Sequence, residues 1–297
     1  MRNAWSVVAS LVLAIVVVSP GAAQQGRRTV SAEERARVQA ERERERREMM
    51  DMPRPIEALN SVWIDELTWM EVRDAIAAGN TTAIIPTGGI EQNGPYLATG
   101  KHNYVLQGAC DAIARKLGNA LCTPVLKLVP EGDPENIRYP GTLSLRQETF
   151  RMVLEDVANS LRSQGFTDVV LIGDSGGNQR GLRETAIALN ERWTDARAHY
   201  IPEYYSKPAV VEWMERELGI VQPIDEGLHD NYVITSEIMI TDPTAVRYEQ
   251  RVRAGKASIN GLSIVPKEKT IEIGKKLLGR RVDLTVDAIN AALSARQ

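Results

Sequence analysis

The chain has 297 residues, of which 43% are hydrophobic, and a formal charge of −3 at pH 7. This length and composition suffice for one large α/β domain with a substantial core. The slightly acidic balance and the aromatic content of only 5% argue against nucleic-acid binding, which uses basic surfaces and stacking platforms.

The amino terminus has the pattern of a Sec-type signal peptide over residues 1–23. Arg2 precedes an apolar run from Trp5 to Val18, and Ser19-Pro-Gly-Ala-Ala23 then supplies a helix break and small residues. The run is short for a membrane span. We therefore predict cleavage after Ala23, export to the periplasm or the medium, and no membrane span after cleavage. An uncleaved anchor is the alternative.

Residues 24–59 are predicted to form a charged helical arm and linker. Glu and Arg recur from Ser31 to Glu48 at spacings that support an exposed helix, and Pro53 ends the segment. The arm is polar on nearly all sides, which is typical of a solvated spacer. The folded domain is predicted to cover residues 60–297.

That domain alternates between helical and strand patterns. The predicted helices cover residues 69–78, 104–117, 146–164, 180–193 and 208–218, with closing helices over 271–293, and the predicted strands cover 82–86, 122–129, 168–172 and 198–201. Regular alternation implies parallel strands joined by right-handed crossovers, with helices on both faces. We therefore predict a three-layer α/β/α fold with a mostly parallel central sheet.

The two cysteines lie in neighbouring predicted elements. Cys110 falls in a helix and Cys122 begins the next strand. Export would permit a disulfide, but we expect two buried free thiols unless the Cα atoms approach within about 7 Å.

Polar side chains follow the first predicted strand. The segment Thr87-Gly-Gly-Ile-Glu91-Gln-Asn93-Gly-Pro95 leads on to His102. Open α/β sheets build their sites in loops at the carboxyl ends of strands, and the Gly and Pro residues allow a sharply turned, stiff loop. This segment therefore has the layout of a functional site.

A second polar turn follows the strand over 168–172. Its sequence is Gly173-Asp174-Ser175-Gly176-Gly177-Asn178, and a helical pattern begins near Arg180. A Gly-rich turn between a strand and a helix indicates that the backbone closely approaches a ligand. A purely structural tight turn explains the same residues.

Together with Tyr139-Pro-Gly-Thr142 and His229-Asp-Asn-Tyr-Val-Ile-Thr-Ser236, these two loops make the chain resemble the creatininase family over roughly residues 65–247. That family typically reads E-Q-H-G-P-H-L-P-x-x-T-D, F-P-G-T, N-G-H-G-G-N and H-A-G-x-x-E-T-S at these places. The resemblance implies a creatininase-like fold, a dinuclear metal amidohydrolase acting on a small molecule, and a homo-oligomer, often a hexamer.

The metal ligands that the resemblance implies are largely replaced. Glu91 matches, but Asn93 stands for the loop His, His102 for the Asp, Ser175 for the turn His and Ile234 for the last Glu. One interpretation is a catalytically silent protein that keeps the fold and binds a small ligand or self-assembles.

The other interpretation is a rearranged metal site. Glu91, His102, Asp174 and His229 still offer two carboxylates and two imidazoles, enough for one Zn²⁺ or Mn²⁺ with an open position. On this hypothesis the chain hydrolyses a C–N amide bond, cyclic or linear, and Glu91 or Asp174 acts as the catalytic carboxylate that orients the water or accepts its proton.

The substrate side of the site is also expected to differ from that of the family. We predict that five residues bind the substrate: Asn93, Asn136, Tyr139, Ser175 and Asn178. Asn136 stands where the family often has His, so creatinine itself is not the expected substrate.

Overall fold

A computed structural model describes residues 31–295 of the chain. The predicted signal peptide lies outside the described residues. The chain divides into two units, Met1–Pro53 and Arg54–Gln297, and the second unit carries all the strands described below. Within the described part, no helix combines the length and the apolar character that crossing a membrane requires.

The first unit contains one helix, α1, over Ala32–Asp51, none of whose residues is buried. Ser31 caps its first turn by accepting a hydrogen bond from the Glu34 amide at 3.1 Å. The predicted exposed, charged helix is therefore present. The structure divides the chain after Pro53. The predicted boundary between arm and domain at residue 59 stays a prediction.

The second unit is built from eight further helices and six strands within the described residues. The helices are α2 Trp69–Ala77, α3 Lys101–Leu117, α4 Gln147–Gln164, α5 Asn178–Arg192, α6 Lys207–Leu218, α7 Tyr232–Thr241, α8 Tyr248–Arg253 and α9 Lys267–Ser294, with short 3-10 helices at Pro202–Tyr205 and Pro243–Val246. The strands are β1 Thr82–Thr87, β2 Ala120–Cys122, β3 Asp168–Gly173, β4 Arg197–Tyr200, β5 Ser258–Ile259 and β6 Leu262–Ser263.

The central sheet has the strand order β2-β1-β3-β4, and all its pairs are parallel. Successive side chains of a strand point to opposite faces: Ala83 and Ile85 pack in one apolar cluster with α4 and α5, whereas Ile84 packs in another with α3 and α9. Both faces are covered, which confirms the three-layer α/β/α fold with a mostly parallel sheet.

The structure corrects several predicted boundaries. The strand predicted over 122–129 is only Ala120–Cys122, because Pro124 cannot donate a ladder hydrogen bond and pairing beyond it is reduced to an isolated bridge between Thr87 and Leu126. The predicted helix at 104–117 begins earlier, at Lys101. The closing helices over 271–293 are one helix, α9. Helix α7 and the β5–β6 hairpin were not predicted.

The expectation of two free thiols was wrong. Cys110 and Cys122 form a disulfide with their Cα atoms 6.4 Å apart. Strand β2 follows α3 after a short turn through Gly118, which has a left-handed backbone (φ 76°), so the chain returns beside the helix it has just left. Both cysteines are fully buried.

Candidate active site

The site forms where β1 and β3 end and α3 begins. Glu91 follows β1, His102 lies in the first turn of α3, and Asp174 follows β3 directly. Neighbouring parallel strands present their carboxyl ends at the same edge of the sheet, which is where these side chains meet. The early start of α3 is what directs His102 toward both loops.

His102 lies between two carboxylates. Its Nδ1 is 2.6 Å from Asp174 Oδ2 and its Nε2 is 2.7 Å from Glu91 Oε1, and its side chain is only 1% exposed. Burial lowers the pKa of His102, but its hydrogen bonds to Asp174 and Glu91 outweigh that effect, so the pKa is raised above its ordinary value. Because each ring nitrogen faces a carboxylate oxygen, His102 is held as an imidazolium that donates to both partners.

Glu91 also accepts from Lys101. The Lys101 ammonium lies 3.0 Å from Glu91 Oε1 and donates to the backbone oxygen of His229 at 2.7 Å. Burial opposes ionisation of Glu91, but the hydrogen bond from His102 and the charge of Lys101 lower its pKa to about 2. One oxygen of the Glu91 carboxylate thus faces both the His102 ring and the Lys101 ammonium.

Glu131 completes a triad with Glu91 and His102. Its Oε2 accepts a hydrogen bond from Ser175 Oγ at 2.7 Å, whereas its buried Oε1 has no hydrogen-bond partner among the described residues. Burial raises the pKa of Glu131 to about 7, against the hydrogen bond from Ser175. A Cβ at Gly89 would lie 1.8 Å from Glu131 Oε1, so only a glycine leaves room for this carboxylate.

The triad is a candidate site for one divalent metal ion. One ligand atom from each of Glu91, His102 and Glu131 lies within 4.8 Å of the other two. Ligand atoms that surround one ion at about 2.0–2.2 Å lie about 3–4 Å apart, so binding one ion requires small shifts of these side chains. The unpartnered Glu131 oxygen supplies a free acceptor, and two carboxylates with one imidazole are a donor set that Zn²⁺ and Mn²⁺ accept.

A second ion pair lies behind the triad. Arg281 of α9 donates to both carboxylate oxygens of Glu237, at 3.1 and 2.9 Å, and to the Tyr204 backbone oxygen. One Arg281 nitrogen is also 3.7 Å from Asp174 Oδ1. Burial raises the pKa of Asp174, but the hydrogen bond from His102 and the charge of Arg281 bring it below its ordinary value. Asp174 is therefore ionised and oriented from two sides.

Two cavities open beside this cluster. One, of about 290 Å³, is lined by Glu91 and Glu131 together with Asn136 and Tyr139; we call it the triad cavity. The other, of about 370 Å³, is lined by Lys101, Asp174, Arg281 and the segment around Asp230; we call it the Asp230 cavity. Burial raises the pKa of Asp230 to about 6, partly offset by the charge of Arg251.

The predicted metal ligands are only partly brought together. Glu91, His102 and Asp174 are adjacent, but Asp174 contacts Nδ1 of His102, whereas Glu91 contacts Nε2. His229 lies 3.8 Å from Glu91 Oε2 and its side chain is 55% exposed. Its role as a ligand stays a prediction.

The predicted substrate residues fall into two groups. Asn136 and Tyr139 line the triad cavity, and Ser175 contacts Glu131. Asn93 instead donates to the backbone oxygens of Glu91 and Ala98, so its amide holds the loop. Asn178 is likewise fully buried and donates to backbone oxygens at the end of β1.

Sequence reasoning missed four charged residues: Lys101, Glu131, Glu237 and Arg281. Lys101 could have been noticed, because it stands at the Thr position of the first family motif. The other three carry no local signal; they lie outside the four motifs or, like Glu237, just beyond one.

The fold and the site define a three-layer α/β protein with a carboxylate–imidazole cluster at the carboxyl edge of a parallel sheet. The family model for Creatininase, described as creatinine amidohydrolase, matches residues 65–289. The chain belongs to the creatininase family.

Individual relatives are distant. A creatinine amidohydrolase from Pseudomonas putida is 29% identical over 177 residues, which cover 56% of this chain and 68% of the relative. A solved structure described as "Creatininase Mn" superposes with a TM-score of 0.59 at 22% identity, covering 78% of this chain and 99% of its own. Another solved structure, of a mutant creatininase of "Zn-Zn type", gives a TM-score of 0.56 at 21% identity, covering 79% and 99%. These structures confirm the fold.

Proposed function

We propose that this chain is a metal-dependent hydrolase that cleaves a C–N amide bond, cyclic or linear, in a small molecule. The observation that carries the proposal is the triad of Glu91, His102 and Glu131, with one buried Glu131 oxygen left without a partner among the described residues. The Mn and Zn–Zn creatininase structures support zinc or manganese as the ion.

Each residue has a defined task in this proposal. Glu91, His102 and Glu131 would hold a divalent ion, which would supply a lowered pKa of water, toward about 7, and polarisation of a substrate carbonyl. Asp174 accepts a hydrogen bond from Nδ1–H of His102 and so fixes the tautomer in which Nε2, once it has lost its proton, would be free as a ligand, an arrangement that orients metal-binding imidazoles. Ser175 donates to Glu131 Oε2 and so fixes the orientation of this carboxylate, while Oε1 has no hydrogen-bond partner among the described residues.

The substrate would enter the triad cavity. Asn136 offers an amide and Tyr139 a phenol ring, and both line that cavity with Glu91 and Glu131. Its volume of about 290 Å³ suits a small molecule. Asp174, buried behind His102, acts by positioning, so Glu91 and Glu131 are the carboxylates that can reach a water proton.

The decisive experiment measures metal content in the purified chain after dialysis without chelator. We expect stoichiometric zinc or manganese, a large loss of metal in His102→Ala and Glu131→Gln, and unchanged metal in the control Glu135→Gln. Glu135 lies on the same loop as Glu131, but it pairs with Arg146 in an exposed ion pair. If Glu131→Gln and wild type contain equal amounts of metal, Glu131 is not a metal ligand.

One observation favours the second candidate, a catalytically silent protein that binds a small ligand or self-assembles. The Lys101 ammonium already occupies Glu91 Oε1, and a nearby divalent ion would be repelled by it. If wild type holds no metal even after incubation with Zn²⁺ or Mn²⁺, this second function is the correct one.

We further propose that the protein is exported and forms a homo-oligomer. Export is supported by the apolar run from Trp5 to Val18 and the small residues before Gln24. Self-assembly is supported by the family resemblance, and light scattering of the purified chain tests it. A monomer at working concentration would reject it.

A further inference from the structure

Three methionines stand within four residues where α1 ends. Met49, Met50 and Met52 account for three of the eight methionines of the chain. Their exposed fractions are 51%, 45% and 50%, and no residue of α1 is buried. These side chains are therefore not fixed in a hydrophobic core, which is the usual place of methionine.

The end of the helix brings the three side chains to one place. The Met52 amide donates to the Met49 backbone oxygen at 3.3 Å, and residues three apart on a helix have their Cβ atoms about 5–6 Å from each other. Pro53 restricts Met52 to an extended backbone, which it adopts at φ −65° and ψ 129°. Met50 directly follows Met49, and the unbranched methionine side chain has three rotatable bonds. The three thioether sulfurs can therefore meet beside the last turn of α1.

The charges of this turn favour a cation. The carboxyl end of a helix carries a partial negative charge, and a cation in the last turn is stabilised by it. The last turn of α1 has no basic residue, and its final residue is Asp51. A cation bound by the thioethers is therefore also stabilised by the helix end.

Other soft donors in the described residues are buried or stand apart in the sequence. Cys110 and Cys122 are joined in a fully buried disulfide. Met214 and Met239 are fully buried, whereas Met152 of α4 is exposed but has no methionine near it in the sequence. Thioethers are thus grouped in the sequence only at the end of α1.

We propose that Met49, Met50 and Met52 bind one soft monovalent metal ion, Cu(I), at the carboxyl end of α1. Thioether ligands select Cu(I), whereas imidazole and carboxylate suit the divalent ions considered for the triad. The methionine site lies outside residues 65–289, which the family model matches, and it does not depend on the triad or on hydrolysis. It gives the charged arm a function separate from that of the folded domain.

Titration of the purified full chain with Ag(I), a soft monovalent ion with the same ligand preference, tests the proposal. The methionine methyl groups are labelled with carbon-13 and followed by NMR. We expect the signals of Met49, Met50 and Met52 to shift together and to saturate at one ion per chain, while the Met152 signal stays in place. Zn²⁺ should leave all four signals unchanged.

Two variants distinguish a three-sulfur site from isolated thioethers and from the triad. Met50→Leu/Met52→Leu leaves Met49 as a single thioether that still reports by its own signal. Half of its shift should then need at least about tenfold more Ag(I) than in wild type, because ligands joined in one chain bind an ion together. Glu131→Gln should leave the shifts of all three wild-type signals unchanged, even if metal binding at the triad is lost.

Several results would overturn the proposal. If the Met49 signal of the double variant shifts at the wild-type Ag(I) concentration, one exposed thioether is sufficient and there is no joint site. An equal shift of the Met152 signal would have the same meaning. Loss of the three shifts in Glu131→Gln would mean that the ion binds at the triad. All the substituted methionines are exposed, so the variants should keep the wild-type melting temperature, and a thermal melt checks this.

Discussion

The Arg281–Glu237 pair predicts a large stability effect from one substitution. Arg281 is 4% exposed and Glu237 is fully buried, so Arg281→Met would leave an uncompensated carboxylate in the interior. Breaking a buried pair in this way costs about 3–5 kcal/mol. One kcal/mol corresponds to about 2–4 °C in a domain of 150–250 residues, so we expect the melting temperature to fall by about 6–20 °C.

The assay is thermal unfolding followed by circular dichroism, with a control on the same helix. Lys276 forms an exposed pair with Glu272 at 3.0 Å, and Lys276→Met should shift the midpoint by about 4 °C or less, because such pairs contribute about 0–1 kcal/mol. The double variant Arg281→Met/Glu237→Met removes both charges and should recover at least half of the loss. A single variant as stable as the control, or a double variant no better than the single, would refute this account.

Four further outcomes are expected. Burial raises the pKa of Glu131 from an ordinary value of 4.5 to about 7, so the folded state holds the Glu131 proton more tightly than the unfolded state does. The stability that this proton contributes is present below about pH 4.5 and is lost as pH rises to about 7. In chelator-treated protein, the melting temperature of Glu131→Gln should therefore rise relative to that of wild type as pH increases across that range. Gly89→Ala should lower metal content by displacing Glu131, as elemental analysis would show, while an unchanged content would mean that the loop adjusts freely. Removing residues 1–52 should leave one cooperative transition, and amino-terminal sequencing of exported protein should begin near Gln24; a broad melt or an intact Met1 would contradict the respective prediction.

The sequence was sufficient for the sheet because its strands are marked locally. Runs such as Ala83-Ile-Ile and Val169-Val-Leu-Ile are short, apolar and followed by Gly-rich turns, and helical patterns separate them. The strand over 122–129 was predicted too long because its apolar residues continue past Pro124. There, backbone pairing is reduced to one bridge and burial is partial: Val125 and Leu126 are half-buried, Leu128 is exposed and Val129 is buried.

Only part of the site could be predicted from the sequence, because contacts between residues that are far apart in the chain complete it. Glu91, His102 and Asp174 follow strands or begin a helix, so their places could be inferred. Arg281 lies in a 28-residue helix rich in Lys and Arg, where one buried guanidinium looks like any surface charge. Glu131 approaches His102 only through the absence of a side chain at Gly89, and the sequence does not distinguish such a glycine from one that serves the turn by its backbone freedom alone.

The charges of the completed site explain why two functions remain candidates. Glu91, Asp174 and Glu237 supply three carboxylates, and Lys101, Arg281 and protonated His102 supply three cations, so these six groups balance one another. Glu131, whose pKa burial raises to about 7, stands outside this balance. To bind at the triad, a metal ion must replace the proton on His102 Nε2 and share the Glu91 carboxylate with Lys101. Metal binding therefore requires proton release and a displaced or more weakly bound ammonium. The ion and Lys101 compete for the same Glu91 carboxylate. The free-energy difference between the two bound states decides whether this chain can carry out the metal chemistry of its family.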